Sequence, residues 1–269
     1  MKRRWVRWAA PIALVLVVVA VTLPLAVREP PGPPDDQTWI ATLGTIRLVR
    51  GQDPDVAAQF FDRDGSFALG GWNGAVPSKS WASEAQFEAD LAAGAIPDGT
   101  RAVMYDPERW AQTPGAEQRD PVAAIEAFAA VARAAGYRVI ITPHPNLAGV
   151  PDAVCGTEEG ESEQDAFLRC GITGAAARVA DVVEVQAQSL ETQPSAYTDF
   201  VRAGAEQART ANPAALVIAG LSTRFVVRSQ TLVEAWSSVR GLADGHYLGV
   251  PEGIRPEVAV EFLRQIGSS

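Results

Sequence analysis

The sequence predicts an α/β protein whose main domain is a TIM-like (β/α)8 barrel. Three observations predict it. From residue 38 on, short apolar runs of strand length alternate with helix-patterned segments seven or eight times in about 230 residues. Alternation of this kind implies parallel strands joined by crossover helices. A domain of that length is the size of a closed eight-stranded barrel. A doubly wound open sheet is the alternative, but no Gly-x-Gly-x-x-Gly turn follows the first strand, as a dinucleotide-binding sheet would require.

The chain opens with a basic flank (Lys2, Arg3, Arg4, Arg7) and then 19 uncharged residues, Ala9 to Val27. As a helix that run crosses roughly 30 Å of hydrocarbon. The basic flank stays on the cytoplasmic side, so the rest of the chain lies outside. No small-x-small cleavage site follows, which predicts an uncleaved signal anchor over residues 1–28, with secretion after cleavage as the alternative. Residues 29–37 hold four prolines and form a stiff extended spacer. The barrel domain is assigned to residues 38–269.

Within that domain a first strand is expected around Thr45 to Val49, with Thr38 to Leu43 as its beginning or as a separate strand. Asp55 to Phe61 forms a short helix. Ser66 to Trp72 is the second strand, ending in glycines. Ser83-Glu-Ala-Gln86 is a capping box, and Phe87 and Leu91 share one face of the helix it starts. Ala102 to Asp106 is the third strand. Asp120 then caps a helix with Pro121 at its first position, a stripe of Val122, Ile125, Phe128, Ala129 and Ala132, and Gly136 at its end. Arg138 to Thr142 is the fourth strand. Asp165 to Val179 is helical, weakened by Gly171 and Gly174. Asp181 to Gln188 is the fifth strand, Ser195 to Ala211 a helix, Ala215 to Leu221 the sixth strand, Leu232 to Arg240 a helix and His246 to Val250 the seventh strand. A closing helix from Pro256 carries Val258, Phe262 and Ile266. The weak early helices predict a first quarter that departs from a regular barrel.

Charge narrows the function. Five of the 23 basic residues and none of the 32 acidic ones lie in the first 28 positions. The remainder therefore carries 18 basic against 32 acidic side chains, a net charge of −14. A domain that acidic repels the phosphate backbone, so no nucleic-acid partner is expected. The two cysteines, Cys155 and Cys170, flank an acidic loop and are expected to pair in an oxidising compartment. Two cysteines cannot complete a four-ligand zinc site. Neither a Gly-x-Ser-x-Gly elbow, a His-Glu-x-x-His, a phosphate-binding loop nor an EF-hand loop occurs, so no cofactor or metal is expected.

In a barrel the chemistry sits at the C-terminal strand ends. The richest of these is Arg101-Ala-Val-Met-Tyr-Asp-Pro-Glu-Arg-Trp110. Alternation puts Ala102, Met104 and Asp106 on one face, and Glu108 joins them if the extension continues past Pro107. Two carboxylates aimed the same way beside an aromatic ring suit acid/base work on a sugar. The plainer reading has Asp106 capping the turn and Glu108 solvated. Glu184, Gln186 and Gln188 share a polar face that lines the barrel, as a hydrogen-bonded network or a substrate wall. His144, held between two prolines with Asn146 beyond, can bind a hydroxyl, move a proton or simply bond a neighbouring backbone. Tyr105, Trp72, Trp81 and Trp110 lie near strand ends, where aromatic rings stack on sugars or fill gaps. The sixth strand delivers Ser222, Thr223 and Arg224. His246, at the start of its strand, is assigned a structural place.

Tyr105-Asp106-Pro107-Glu108 resembles the Asp-x-Glu strand-end motif of two barrel glycosidase families, the chitinases and the Chalaropsis-type lysozymes. The resemblance covers about ten residues. It implies that Glu108 is the general acid and that Asp106 supports the reaction or orients a substrate group. The longer Asp-rich run of chitinases is missing, and the count above puts the motif on the third strand, where those families carry it on the fourth. The wider pattern Tyr-Asp-Pro-Glu-x-Trp-x-x-Thr-Pro-x-x-Glu-Gln is similar to secreted bacterial proteins of unassigned function.

The expectation is a membrane-anchored, extracytoplasmic barrel acting on a carbohydrate or cell-envelope glycan. Its catalytic set would be Glu108, Asp106, Glu184 and His144, and its binding set Trp72, Tyr105, Trp110, Asn146, Gln186 and Gln188. A non-catalytic surface binding module of the same fold is the alternative. Protease added to intact cells should cleave beyond Gln37; full protection while other surface proteins are cut contradicts this orientation.

Overall fold

The computed structural model describes residues 37–251 and 254–268. The expected anchor and the spacer before Gln37 lie outside the described residues. Gln37 itself is buried, and its Oε1 accepts a hydrogen bond from Trp236 Nε1 at 3.0 Å.

Eight parallel strands close into a barrel: β1 (Thr38–Thr42), β2 (Phe67–Leu69), β3 (Val76–Trp81), β4 (Ala102–Tyr105), β5 (Arg138–Ile141), β6 (Val182–Val185), β7 (Leu216–Ser222) and β8 (Gly245–Gly249). Each pairs with its sequence neighbour, and β8 returns to β1 with Trp39 opposite His246. The helices around them are α1 (Leu43–Gln52), α2 (Pro54–Phe61), α3 (Glu84–Ala92), α4 (Gly115–Arg119), α5 (Pro121–Ala134), α6 (Glu163–Arg169), α7 (Ile172–Val179), α8 (Pro194–Ala211), α9 (Ser229–Val239) and α10 (Pro256–Gly267).

Strand alternation divides the apolar residues into two cores. Ile40, Phe67, Val76, Met104, Ile140 and Ile218 are among those that fill the barrel interior. The opposite faces, with Val103, Tyr105, Val139, Val183 and Val217, pack against the helices. Phe128 on α5 shows how the outer layer locks together: its ring lies 4.4 Å from Phe87 of α3 and 5.0 Å from Tyr105 of β4. The interior is thus solid at its lower levels, and open space remains at the C-terminal mouth.

Three departures from the sequence expectation have local causes. Thr45 to Val49 is not a strand but the middle of α1. Its β-branched composition resembles a strand, yet Thr42 Oγ1 accepts from Thr45 N at 3.1 Å and starts a helix. The second departure is β3, Val-Pro-Ser-Lys-Ser-Trp, which is too polar to read as a strand and pairs β2 on one side and β4 on the other. Ala102–Tyr105 is consequently the fourth strand, not the third. Only residues 70–75 separate β2 from β3, so the first quarter departs from a regular barrel through a missing crossover helix, while the early helices α1 and α2 both form. Third, Gly171, at φ 64°, breaks the segment expected as one helix into α6 and α7.

Cys155 and Cys170 are joined, with Cα atoms 5.9 Å apart, tying the acidic loop before α6 to that helix's end. In the chain-entropy account a loop of this length stabilises by about 3 kcal/mol. Replacing both cysteines with serine should lower the melting temperature by about 6–12 °C for a domain of this size; an unchanged value in calorimetry would show that the clasp adds nothing.

Candidate active site

β4 positions the centre of the site. Ala102 and Met104 point into the barrel, and the next inward position, at the mouth, is Asp106. The ladder extends to it, since Asp106 N donates to Trp81 O at 2.9 Å. Pro107 then removes a donor, though its carbonyl still accepts from His144 N at 3.1 Å. A tight turn follows. Glu108 N donates to Thr113 Oγ1 at 3.2 Å, and Trp110 Nε1 donates to the same oxygen at 2.8 Å. Glu108 is therefore carried on a fixed turn beside the mouth.

The neighbouring strands converge on Asp106. Thr142 Oγ1, just past β5, donates to Asp106 Oδ1 at 2.8 Å. Gln186 Nε2, just past β6, donates to the same oxygen at 2.9 Å and to Thr142 O at 2.6 Å. One carboxylate oxygen thus stitches together the ends of three consecutive strands. Glu184, one inward position deeper on β6, accepts from Gln188 Nε2 at 2.9 Å. These groups surround a cavity of about 400 Å³ whose lining includes Asp106, Glu108, Glu184, Tyr247, Arg224 and Phe225. His144, Gln186 and Gln188 line it too.

Three carboxyls in one partly dry cavity cannot all ionise freely. Burial raises Asp106 to about 6, opposed by the hydrogen bonds from Thr142 and Gln186. Burial and the Asp106 charge raise Glu108 from 4.5 to about 7, opposed by Arg224. Burial, then the Asp106 and Glu108 charges, hold Glu184 well above the ordinary carboxyl range. Burial and the same three carboxylates push Tyr247 upward. Burial keeps His144 below its usual value, with the Arg109 charge adding to it. Asn146 N donates to His144 Nδ1 at 3.0 Å, which leaves the ring proton on Nε2. A short turn after β6 also buries Glu191, whose carboxyl accepts from Ser222 N and is raised by burial to about 9. It fastens that turn to the end of β7. Among the described residues no three His, Cys, Asp or Glu side chains are grouped to hold a metal ion.

The structure brings together Asp106, Glu108, Glu184, His144, Gln186 and Gln188. It corrects four other expectations. Tyr105 faces the helix layer, not the cavity, because the alternation that turns Asp106 inward turns Tyr105 outward. There it is fully buried and its hydroxyl donates to Glu117 at 2.7 Å. Glu117 also accepts from the backbone of Glu84 and Ala85, capping α3. Trp72 lies outside the cavity, with the Arg50 guanidinium 5.1 Å above its ring and its indole donating to Asp62. Trp110 is 38% exposed at the rim but tied to Thr113 and not part of the cavity wall. Asn146 accepts from Arg109 N at 2.9 Å and braces the turn after Glu108 instead of lining the cavity. Trp81 is buried, donating to Asp90 Oδ2 at 2.9 Å. His246 is also buried, 5.4 Å from the Trp39 ring, in the structural place expected.

Among the lining residues that the sequence pattern did not assign to the site are Tyr247 and Phe225. His246 packs outward against Trp39, and strand alternation then turns Tyr247 inward. Phe225 sits on the loop after β7, where no periodicity signals orientation.

No family model matches the chain, and no curated protein matches it in sequence. Solved structures with a similar fold include a putative α-L-fucosidase from Bacteroides thetaiotaomicron VPI-5482, at 12% identity and a TM-score of 0.47. The match covers 68% of this chain and 60% of that one, so the chain spans well under two thirds of the fucosidase. Triosephosphate isomerase from Bartonella henselae aligns at 11% identity and a TM-score of 0.45, over 86% of this chain and 99% of that one. An archaeal fructose-1,6-bisphosphate aldolase aligns at 13% and 0.47, over 87% and 94%.

The buried carboxyls make stability depend on pH. A carboxyl whose folded pKa lies above its unfolded value binds more protons in the folded state. Its contribution is therefore present at low pH and lost as pH rises through the folded value. For Glu108 the window is 4.5 to about 7. Glu184 is also held well above the ordinary carboxyl range by burial, so its loss likewise begins as pH rises above the unfolded value. Glu184→Gln removes that penalty and keeps an oxygen to accept from Gln188. It should raise the melting temperature at pH 7 by about 2–4 °C for each kcal/mol relieved, with a smaller gain at pH 4.5. A variant less stable than wild type at pH 7 would contradict the assignment.

Proposed function

We propose that this protein is an extracytoplasmic glycoside hydrolase-like enzyme in which Glu108 is the general acid/base. One observation carries the reading. Glu108 lies half-exposed on the wall of a 400 Å³ cavity, beside Asp106 and Glu184, with its pKa raised to about 7. A carboxyl in that state holds a proton at neutral pH and can still reach a substrate, which is what protonation of a leaving oxygen requires.

Each neighbour then has a task. Glu108 gives its proton to the glycosidic oxygen as the bond to the anomeric carbon breaks. Asp106, lower in pKa and held by Thr142 and Gln186, presents negative charge to the positive charge that develops there. Water adds to that carbon, and its proton returns to Glu108. Glu184, pushed toward its protonated form by burial, can offer a hydroxyl. His144, neutral with Nε2–H free of the backbone bond, and Gln188 offer hydrogen bonds to sugar hydroxyls. The motif's place at the end of β4 supports the resemblance to chitinases and Chalaropsis-type lysozymes, which carry theirs on the fourth strand. The joined cysteines fit an oxidising, extracytoplasmic setting, and the N-terminal apolar run would tether the barrel to the membrane, with a cell-envelope glycan as its partner.

On a glycan that the wild-type protein cleaves, Glu108→Gln should lower turnover by about 10²–10⁴-fold with binding retained. Asp106→Asn should also reduce it, and Glu257→Gln, exposed on α10, should not. Turnover of Glu108→Gln within about threefold of wild type, short of the general-acid range, would remove Glu108 from the chemistry. Glycan binding without turnover would favour a non-catalytic binding module.

A further inference from the structure

The loop after β7 presents two side chains that the catalytic reading does not use. Its backbone is held firmly. Thr223 N donates to Gly249 O at 3.0 Å, and Thr223 Oγ1 donates to Ile254 O at 2.9 Å. Arg224 N donates to Ser222 Oγ at 3.1 Å. Arg255 Nη1 lies 3.2, 3.5 and 3.4 Å from the carbonyl oxygens of Thr223, Arg224 and Val226 and donates to them. On this braced backbone Arg224 and Phe225 both remain exposed, and both line the cavity that holds Glu108. Phe225 keeps 53% of its surface open.

Arg224 is the one cationic side chain among the described residues lining the cavity. Its guanidinium forms no ion pair among the described residues and lies 5.7 Å from the Phe225 ring centroid. Its charge lowers Glu108 without a contact ion pair, which leaves its donors available to a ligand. A planar fork with no ion pair among the described residues, lying over an exposed aromatic ring, suits a ligand that has both a planar anion and a ring to stack. A doubly charged phosphate would meet Asp106 and Glu108 with only one cation to offset it, whereas a single carboxylate matches one guanidinium.

We infer that the substrate taken by this cavity is a sugar bearing a carboxylate, which Arg224 receives while Phe225 stacks against the ring. The inference rests on the glycan reading above and narrows it to acidic sugars. Arg224 is then a specificity residue, apart from the acid pair that performs the reaction.

The test uses probe pairs that differ in the carboxylate: D-glucuronic acid against D-glucose, and trigalacturonic acid against its methyl ester. Binding is measured by titration calorimetry to the full chain carrying Glu108→Gln, so that no turnover intervenes. At least one acidic probe should bind about tenfold to a hundredfold more tightly than its neutral partner, the range of one charge-assisted hydrogen bond. Adding Arg224→Gln should erase that preference while neutral-sugar binding stays the same, and Arg224→Lys should restore part of it. Equal binding of both members of each pair, or a preference that survives Arg224→Gln, overturns the inference and leaves the glycan reading standing. Binding of no sugar probe overturns both.

Discussion

The candidate site depends on one desolvated carboxylate oxygen. Asp106 Oδ1 accepts from Thr142 at 2.8 Å and from Gln186 at 2.9 Å, so the ends of β4, β5 and β6 share a single acceptor. A buried acceptor without partners costs about 1–3 kcal/mol. Here both donors also gain a fixed partner, and the mouth of the barrel is held at the spacing the rest of the site needs. The charge that this oxygen carries raises Glu108 and Glu184 in turn. Structure and reactivity therefore come from the same atom.

The site is assembled against stability. Below the mouth the barrel interior is apolar, filled by residues such as Ile40, Phe67 and Met104. At the mouth it becomes acidic, with Asp106, Glu184 and Glu108 stacked where burial penalises their charged forms. Active sites are where such penalties are retained, because a carboxyl that titrates near neutrality can both give and take a proton. The surrounding scaffold offsets the penalty: the Phe87–Phe128–Tyr105 packing on one side of β4, the Glu117 carboxylate capping α3, and the disulfide beyond β5.

Much of this was legible in the sequence where side-chain chemistry and period agree. The order Ala102, Met104, Asp106 follows from two-residue alternation, and the caps at Ser83 and Asp120 follow from the hydrogen bonds those side chains make to the next turn. The same alternation excludes Tyr105 from the cavity and admits Tyr247, yet an aromatic residue beside an acid pair reads more readily as a platform than as a helix contact. What could not be read was decided by tertiary contact. Val76 to Trp81 is a strand because β2 and β4 supply partners on both sides, despite Pro77, Lys79 and two serines. Thr45 to Val49 is a helix because Thr42 caps it and α1 buries Ile46 and Val49. That missed strand displaced the acid motif from the fourth position to the third in the sequence count.

The central claim is that Glu108 holds a proton at neutral pH because of burial and the Asp106 charge. Carbon-13 NMR of the Glu108 side-chain carboxyl, followed through a pH titration of the wild-type protein and of Asp106→Asn, tests it directly. The account predicts a midpoint near 7 in wild type that moves down when the Asp106 charge is removed. A midpoint near the ordinary 4.5, or one that Asp106→Asn leaves in place, would contradict it.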